Sequence, residues 1–308
     1  MMSADSDLHV VVVNWNAIDD TLRCVRALQA WSQLRPAIWV VDNASHDGSA
    51  DLLQQACPEI RLIRNEQNLG FAGGNNVALA QIIARSDAPI LLLNNDAAIE
   101  EGSVRRLVQT LHTRERVSLV GPLLFEAGRP DRLLSAGGRD IALHPSSHLQ
   151  HLRSGPALRP VCYVPGTVLI VRAALFRAVG LLDERYFFSG EIADLCARAR
   201  SAGYTCLIDT RARAHHDLAR STPLRETVHV YYSIRNRFLY ALKFHPRSRL
   251  ALDALWFSYG LGMSVKARLS GKRAKARAAR LAVTDGLRGR FGAQNERLLQ
   301  YTRSGYGS

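Results

Sequence analysis

Three apolar runs in the first third of the chain each stop abruptly at amides or carboxylates. His9 to Val13 ends at Asn14-Trp15-Asn16, Ala37 to Val41 at Asp42-Asn43, and Ile90 to Leu93 at Asn94-Asn95-Asp96. Short continuous runs of this kind read as strands buried on both faces of a parallel sheet. Between them lie segments with helical spacing: Asp19 to Gln33 (Leu22, Val25, Leu28), Ser49 to Ala56, and Asn75 to Arg85, with a short strand over Ile60 to Ile63. This alternation predicts an α/β fold of βαβ units, with helices covering both faces of the sheet. Ligands in such sheets sit just beyond the carboxyl ends of the strands, where these Asn and Asp residues fall. Asn and Asp are also ordinary turn residues, so each run taken singly is equally a strand-to-loop turn.

A chain of 308 residues has room for one large domain with an appendage, or for two domains. Its net charge is +13, and much of the excess lies after Pro246. That asymmetry points to a polyanionic partner: nucleic acid, an acidic membrane surface or a phosphorylated substrate. Five cysteines, an odd number without a CxxC pair, read as reduced core residues of a cytosolic protein. Met1 to Asp7 is polar and acidic, unlike a signal peptide. The longest apolar stretch, Leu250 to Val265, is interrupted by Asp253 and too short to span a bilayer. The expected location is cytoplasmic, with the option of lying on the inner face of the membrane.

Between Leu123 and Pro160 the pattern weakens into expected loops and a hairpin. It resumes over Val161 to Val171, then helices over Ala173 to Val179 and Asp194 to Ala202, the latter closed by Gly203. A strand near Thr205 to Ile208 precedes His215-His216, and from Thr227 the chain reads as helical and increasingly basic.

Asp42 opens the segment Asp42-Asn43-Ala44-Ser45-His46-Asp47-Gly48-Ser49. An acid at that strand end can accept a hydrogen bond from a nucleobase or a ribose hydroxyl; a turn with a helix cap explains Asp47 and Ser49 but not Asp42. Asn65 to Asn76 reads as a glycine-rich loop before a helix, with neither the Walker nor the GxGxxG spacing. Its glycines would let backbone amides approach a ligand, and the helix start would favour an anion.

The order Asn14-Trp15-Asn16, Val41-Asp42-Asn43-Ala44-Ser45, Asn68-Leu69-Gly70-Phe71-Ala72-Gly73-Gly74-Asn75-Asn76 and Leu93-Asn94-Asn95-Asp96 resembles the family 2 glycosyltransferases, and within them the rhamnosyltransferase-like branch. The resemblance continues through Val179 to Glu184, Phe187-Phe188, Asp194 to Arg198 and Arg235-Asn236-Arg237. It implies a GT-A fold, with a dTDP-, UDP- or GDP-linked sugar bound across the N-terminal half. By that resemblance Asn14, Asn16, Asp42, Asn43, Ser45, Asn94 and Asn95 would line the donor site, and the loop carrying Asn68, Gly70, Phe71, Gly73, Asn75 and Asn76 would shape it. Asp96 would hold a Mg²⁺ or Mn²⁺ ion between the phosphates, joined by a late histidine. His216 fits that place better than His215, because Ser221 follows it at the branch's usual interval.

One departure stands out. An inverting transferase needs a general base for the acceptor hydroxyl, and the family usually supplies it from Glu-Asp-x-Asp. Here the segment reads Glu191-Ile192-Ala193-Asp194, and isoleucine cannot take a proton. The base is then Glu191, expected in a loop, or Asp194, or the chain is catalytically inert.

The expected layout is a GT-A-like catalytic domain over 1–222 and a helical basic extension over 223–308. In the extension, Leu255 to Tyr259 followed by cations from Lys266 to Arg280 would suit an amphipathic element on an anionic leaflet. A solvated basic helix with its aromatic part packed on the catalytic domain suits the same residues. No nucleic-acid-binding module is recognisable. The activity expected is metal-dependent, inverting sugar transfer to a glycan or lipid-linked acceptor in bacterial surface polysaccharide synthesis. Two rivals remain: a non-catalytic nucleotide-sugar-binding or scaffold protein, and a sugar nucleotidyltransferase, which would normally carry a basic glycine-rich loop that Asn14-Trp15-Asn16-Ala17 lacks.

Overall fold

The computed structural model describes residues 7–152, 154–218 and 223–303. In chain order these form β1 (Leu8–Asn14), α1 (Ile18–Gln29), β2 (Pro36–Asp42), α2 (Ser49–Ala56), β3 (Arg61–Arg64), α3 (Gly70–Ile83), β4 (Ile90–Leu93), β5 (Ala97–Ile99), α4 (Glu101–His112), β6 (Val117–Glu126) and β7 (Arg129–Ser135). Then follow β8 (Leu158–Pro160), β9 (Val168–Val171), α5 (Ala173–Val179), α6 (Glu191–Ser201), β10 (Thr205–His216) and the helices α7 (Pro223–Phe244), α8 (Arg249–Leu269), α9 (Arg273–Leu287) and α10 (Asn295–Arg303).

The sheet runs β3-β2-β1-β4-β9-β6-β10-β5. Its first four strands are parallel, Val10 lying beside Ile38 on one side and Leu91 on the other. β9 runs antiparallel to both β4 and β6. The expected hairpin is present as β6–β7, turning at Gly128 with φ +76°.

Alternate residues of the central strands feed two cores. Val11, Val41 and Leu92 face helices α3, α5 and α6, whereas Val10, Val12, Val40 and Leu91 face α1, α2 and α4. Burial on both faces is why these strands are continuously apolar. Tyr231, Tyr232, Phe238 and Trp256 of α7 and α8 join the first core, so the C-terminal helices pack into the sheet-bearing body. The boundary expected at 222 and Ser221 lie outside the described residues. No described helix is long and apolar enough to cross a membrane.

Two local expectations change. The glycine-rich stretch is not a loop: α3 begins at Gly70, so Gly73 and Gly74 are helical. Their small size serves packing, since a Cβ on Gly74 would lie 3.1 Å from Val13 and one on Gly73 2.7 Å from Leu69. Glu191 is likewise not in a loop but is the first residue of α6.

Candidate active site

Strand order reverses between β1 and β4, and the carboxyl ends of β1, β2 and β4 form a common rim at that switch point. A hydrogen-bonded chain runs along it. The Asn14 amide donates to Asp42 Oδ1 (2.8 Å) and Ser45 Oγ (3.1 Å) and accepts from Thr21 Oγ1 (2.7 Å). Asn95 donates to Thr21 Oγ1 at 2.9 Å. Asn16, held at φ +49°, donates its N–H to Ser45 Oγ and accepts from the His46 N–H. Asp42 is buried, and its second oxygen accepts from the Ser45 N–H at 3.1 Å. A carboxylate has about four acceptor positions, so these two bonds leave Asp42 acceptor capacity at the rim.

Asn43 and Asn76 are clamps. Asn43 donates to Asn68 Oδ1 and the Gly70 carbonyl and accepts from Asn65 and the Leu69 N–H, all at 3.0 Å, fixing the entry to α3. Asn68 also accepts from the Gly70 N–H. Asn75 donates to the Phe71 carbonyl. Asn76 bonds both the N–H and the carbonyl of Leu182 and donates to Glu184, tying α3 to the segment before α6. The start of α3, expected to favour an anion, is instead met by the Phe187 carbonyl, which accepts from Phe71 N (2.7 Å) and Ala72 N (3.3 Å). Gly70 is required there: its φ is +70°, and a Cβ would stand 2.3 Å from that same oxygen.

Beyond β4, Asn94 is anchored by its N–H to the Thr167 carbonyl at 2.9 Å. Asp96 faces β10, whose antiparallel pairing with β5 sets His216 opposite Ala97. His216 Nε2 lies 3.1 Å from Asp96 Oδ1, and Arg225 of α7 donates to Oδ2 at 2.9 Å. His215, one position earlier in β10, packs its ring against Phe125. Burial alone would raise the Asp96 pKa, but the bonds and charges of His216 and Arg225 outweigh it and hold the carboxyl below its ordinary range. No group of three or more His, Cys, Asp or Glu side chains suited to a metal occurs among the described residues. An oxygen and an imidazole nitrogen facing each other still fit a divalent cation whose other ligands come from a diphosphate and water.

A second polar cluster lies at the turn into α6, which the Phe187 carbonyl ties to the start of α3. Tyr186 accepts from the Phe188 N–H at 2.7 Å across Phe187, which sits at φ 62°, ψ −57°, a strained γ-turn. Asn236 holds this turn by donating to the carbonyls of Tyr186 (3.0 Å), Phe188 (2.8 Å) and Ser189 (2.5 Å). Arg235, fully buried, donates to the carbonyls of Arg185, Tyr186 and Gly292. Glu191 follows directly. It is buried, and its Oε2 has no hydrogen-bond partner among the described residues. Burial pushes its pKa up from 4.5 to about 7, its own N–H opposes that, and nearby Asp194 adds to it. Asp194 is committed elsewhere: Arg198 donates to it at 2.6 Å and Lys243 forms an ion pair with it. Ile192 is a core plug; a Cβ on Gly166 would lie 3.0 Å from Ile192 Cγ1 and 3.9 Å from Phe71.

Sequence reading missed Thr21 and Arg225. Thr21 is one more polar residue on an amphipathic helix, and Arg225 stands 129 residues from the carboxylate it bonds. Neither carries a local signal.

The sheet, its switch-point rim of amides and carboxylates and the flanking helices define the GT-A class of nucleotide-sugar transferase folds. Residues 9–157 match the sequence model of glycosyl transferase family 2, and that part of the chain is a domain of this family. It is 26% identical over 260 residues to the N-acetylglucosaminyl-diphospho-decaprenol L-rhamnosyltransferase of Mycobacterium tuberculosis, covering 77% of this chain and 85% of that one. It is 22% identical over 293 residues to the dTDP-rhamnosyl transferase RfbF of Shigella flexneri, covering 92% and 97%. Among solved structures, the mannosyltransferase PcManGT from Pyrobaculum calidifontis in complex with GDP-Man and Mn²⁺ superposes with a TM-score of 0.59 at 14% identity, over 96% of this chain and 78% of that one.

Proposed function

We propose that this glycosyltransferase transfers a deoxyhexose of the rhamnose kind, with inversion, from a nucleoside-diphosphate donor to a lipid-linked glycan acceptor, at the cytoplasmic side of a membrane, in surface polysaccharide synthesis. The observation that carries the catalytic part is the buried Glu191 carboxyl, with one oxygen unpartnered and a pKa near 7. A base poised at the working pH combines the right protonation state with proton affinity. The names of two relatives support the sugar and the lipid-diphosphate acceptor.

In this reading Asp42 accepts a hydrogen bond from the nucleobase or ribose, held in place by Asn14 and Ser45. Asp96 and His216 would hold a Mg²⁺ or Mn²⁺ ion, which when bound offsets charge on the departing diphosphate. Arg225 places a further positive charge at that carboxylate. Glu191 removes the acceptor hydroxyl proton as the oxygen attacks the anomeric carbon from the face opposite the leaving group. The γ-turn at Phe187 and its Asn236 clamp fix where that carboxyl stands.

One observation favours a second reading, a nucleotide-sugar-binding protein without turnover: Ile192 stands where the family resemblance would place the base. Donor hydrolysis and transfer from a panel of dTDP-, UDP- and GDP-sugars, with Mn²⁺, separate the two. Turnover by the wild type that Glu191→Gln abolishes supports the enzyme. A wild type that binds donor but is inert, with activity appearing in Ile192→Asp, supports the binding protein.

A further inference from the structure

We infer that the outer face of α8 docks on an anionic phospholipid leaflet. The helix has two unlike faces. Leu252, Trp256, Gly260, Ser264 and Ala267, three or four residues apart, are buried. Trp256 donates to the Ala142 carbonyl and stacks on Arg237, so the tryptophan expected to meet a membrane is a core residue. The opposite face carries Leu250, Phe257, Leu261, Val265 and Leu269, the two end leucines 84% exposed and the others about half. With Leu255, six of the fifteen exposed large hydrophobics among the described residues lie on this one helix, a concentration that marks an interaction surface rather than scatter.

Charge selects the occupant. Exposed Arg247 and Arg249 stand at one end of the stripe, and exposed Lys266, Arg268, Lys272 and Arg273 at the other. The only acid between residues 247 and 273 is Asp253, which pairs with Arg249 at 3.4 Å. An apolar stripe bracketed by cations suits lipid tails beneath anionic headgroups. A second copy of the chain laid antiparallel on this face would set cations against cations at both ends. At 21 residues the helix is about 32 Å long, and it lies along the surface rather than crossing it.

The stripe is also placed for the reaction. Lys272 and Lys275 reach Glu226 at 3.8 and 3.4 Å, and the adjacent Arg225 is the residue that bonds Asp96. The cationic end therefore adjoins the end of α7 that closes the Asp96 side of the site. This use of the surface rests on the lipid-linked acceptor proposed above, whereas the docking itself needs neither donor nor acceptor.

Co-sedimentation of the full chain with vesicles tests it. Vesicles of phosphatidylcholine with about 30% phosphatidylglycerol should bind the protein at least about tenfold better than phosphatidylcholine alone, and about 0.5 M salt should remove that preference. Leu261→Asp with Val265→Asp, and separately Lys266→Glu with Arg268→Glu, should each weaken binding by about tenfold or more while leaving the melting temperature and donor hydrolysis in solution unchanged. Equal binding to both vesicle types, or wild-type binding by the Leu261→Asp/Val265→Asp protein, overturns the inference. So does a wild-type dimer in light scattering that the same double substitution dissociates, which would give this face to a second copy. Vesicle binding without any sugar transfer would fault the acceptor reading and leave the docking intact.

Discussion

Replacing Glu191 with Gln should damage activity and improve stability together. The carboxyl is fully enclosed, with Oε2 unpartnered among the described residues and Asp194 nearby. Its pKa rises from 4.5 to about 7, and at about 1.4 kcal/mol per pH unit the ionised form costs the folded chain about 3 kcal/mol. Between pH 4.5 and 7 the folded chain keeps a proton that the unfolded chain has released. Stability therefore falls as pH rises through that window and stays lower above it. Glutamine is nearly isosteric and never ionises. Urea denaturation at pH 8 should find Glu191→Gln more stable than wild type by up to about 3 kcal/mol, with the gap closing near pH 4.5. Transfer should fall by about 10²- to 10⁴-fold. The wild-type kcat/KM should climb about tenfold per pH unit below pH 7 and level off above it, because only the ionised carboxyl accepts a proton. A variant that keeps more than about a tenth of the activity would remove Glu191 from the chemistry. A stability gap of the same size at pH 5 and pH 8 would show that the carboxyl is not held protonated.

Asp96→Asn should keep the fold but abolish the Mn²⁺-dependent thermal stabilisation given by a nucleoside diphosphate, with transfer down by at least about 100-fold; differential scanning fluorimetry and a rate assay read both. Asn236→Ala leaves three turn carbonyls without their shared donor. It should cost about 2–3 kcal/mol in urea denaturation and lower kcat more than it raises KM for the donor. Gly70→Ala forces a Cβ against the Phe187 carbonyl at a left-handed φ, and a loss of more than about 2 kcal/mol, or failure to yield folded protein, is expected by circular dichroism.

The strand ends were legible in the sequence because a strand buried on both faces must be apolar throughout, so its first amide or carboxylate marks where the chain leaves the sheet. Asn14, Asp42 and Asp96 stand out on that ground, and their meeting at one rim follows from the handedness and order of βαβ units. The glycine-rich segment was legible as special but not in kind: Gly73 and Gly74 relieve crowding against Leu69 and Val13, contacts that no local pattern displays. Glu191 and Asp194 are both acids three residues apart in sequence. Only tertiary structure distinguishes them, pairing Asp194 with the two cations Arg198 and Lys243 and leaving Glu191 enclosed beside neither. The composition of α8 offered aromatics and cations, but the packing of α9 and α7 decided that Trp256 turns inward and Leu261 outward. Sequence thus determined the fold class and the positions of the rim residues, through burial and periodicity acting over a few neighbours. The protonation of Glu191, the grip of Arg225 on Asp96 and the exposed stripe were decided by residues tens to more than a hundred positions apart, because burial and charge pairing depend on what the folded chain brings alongside.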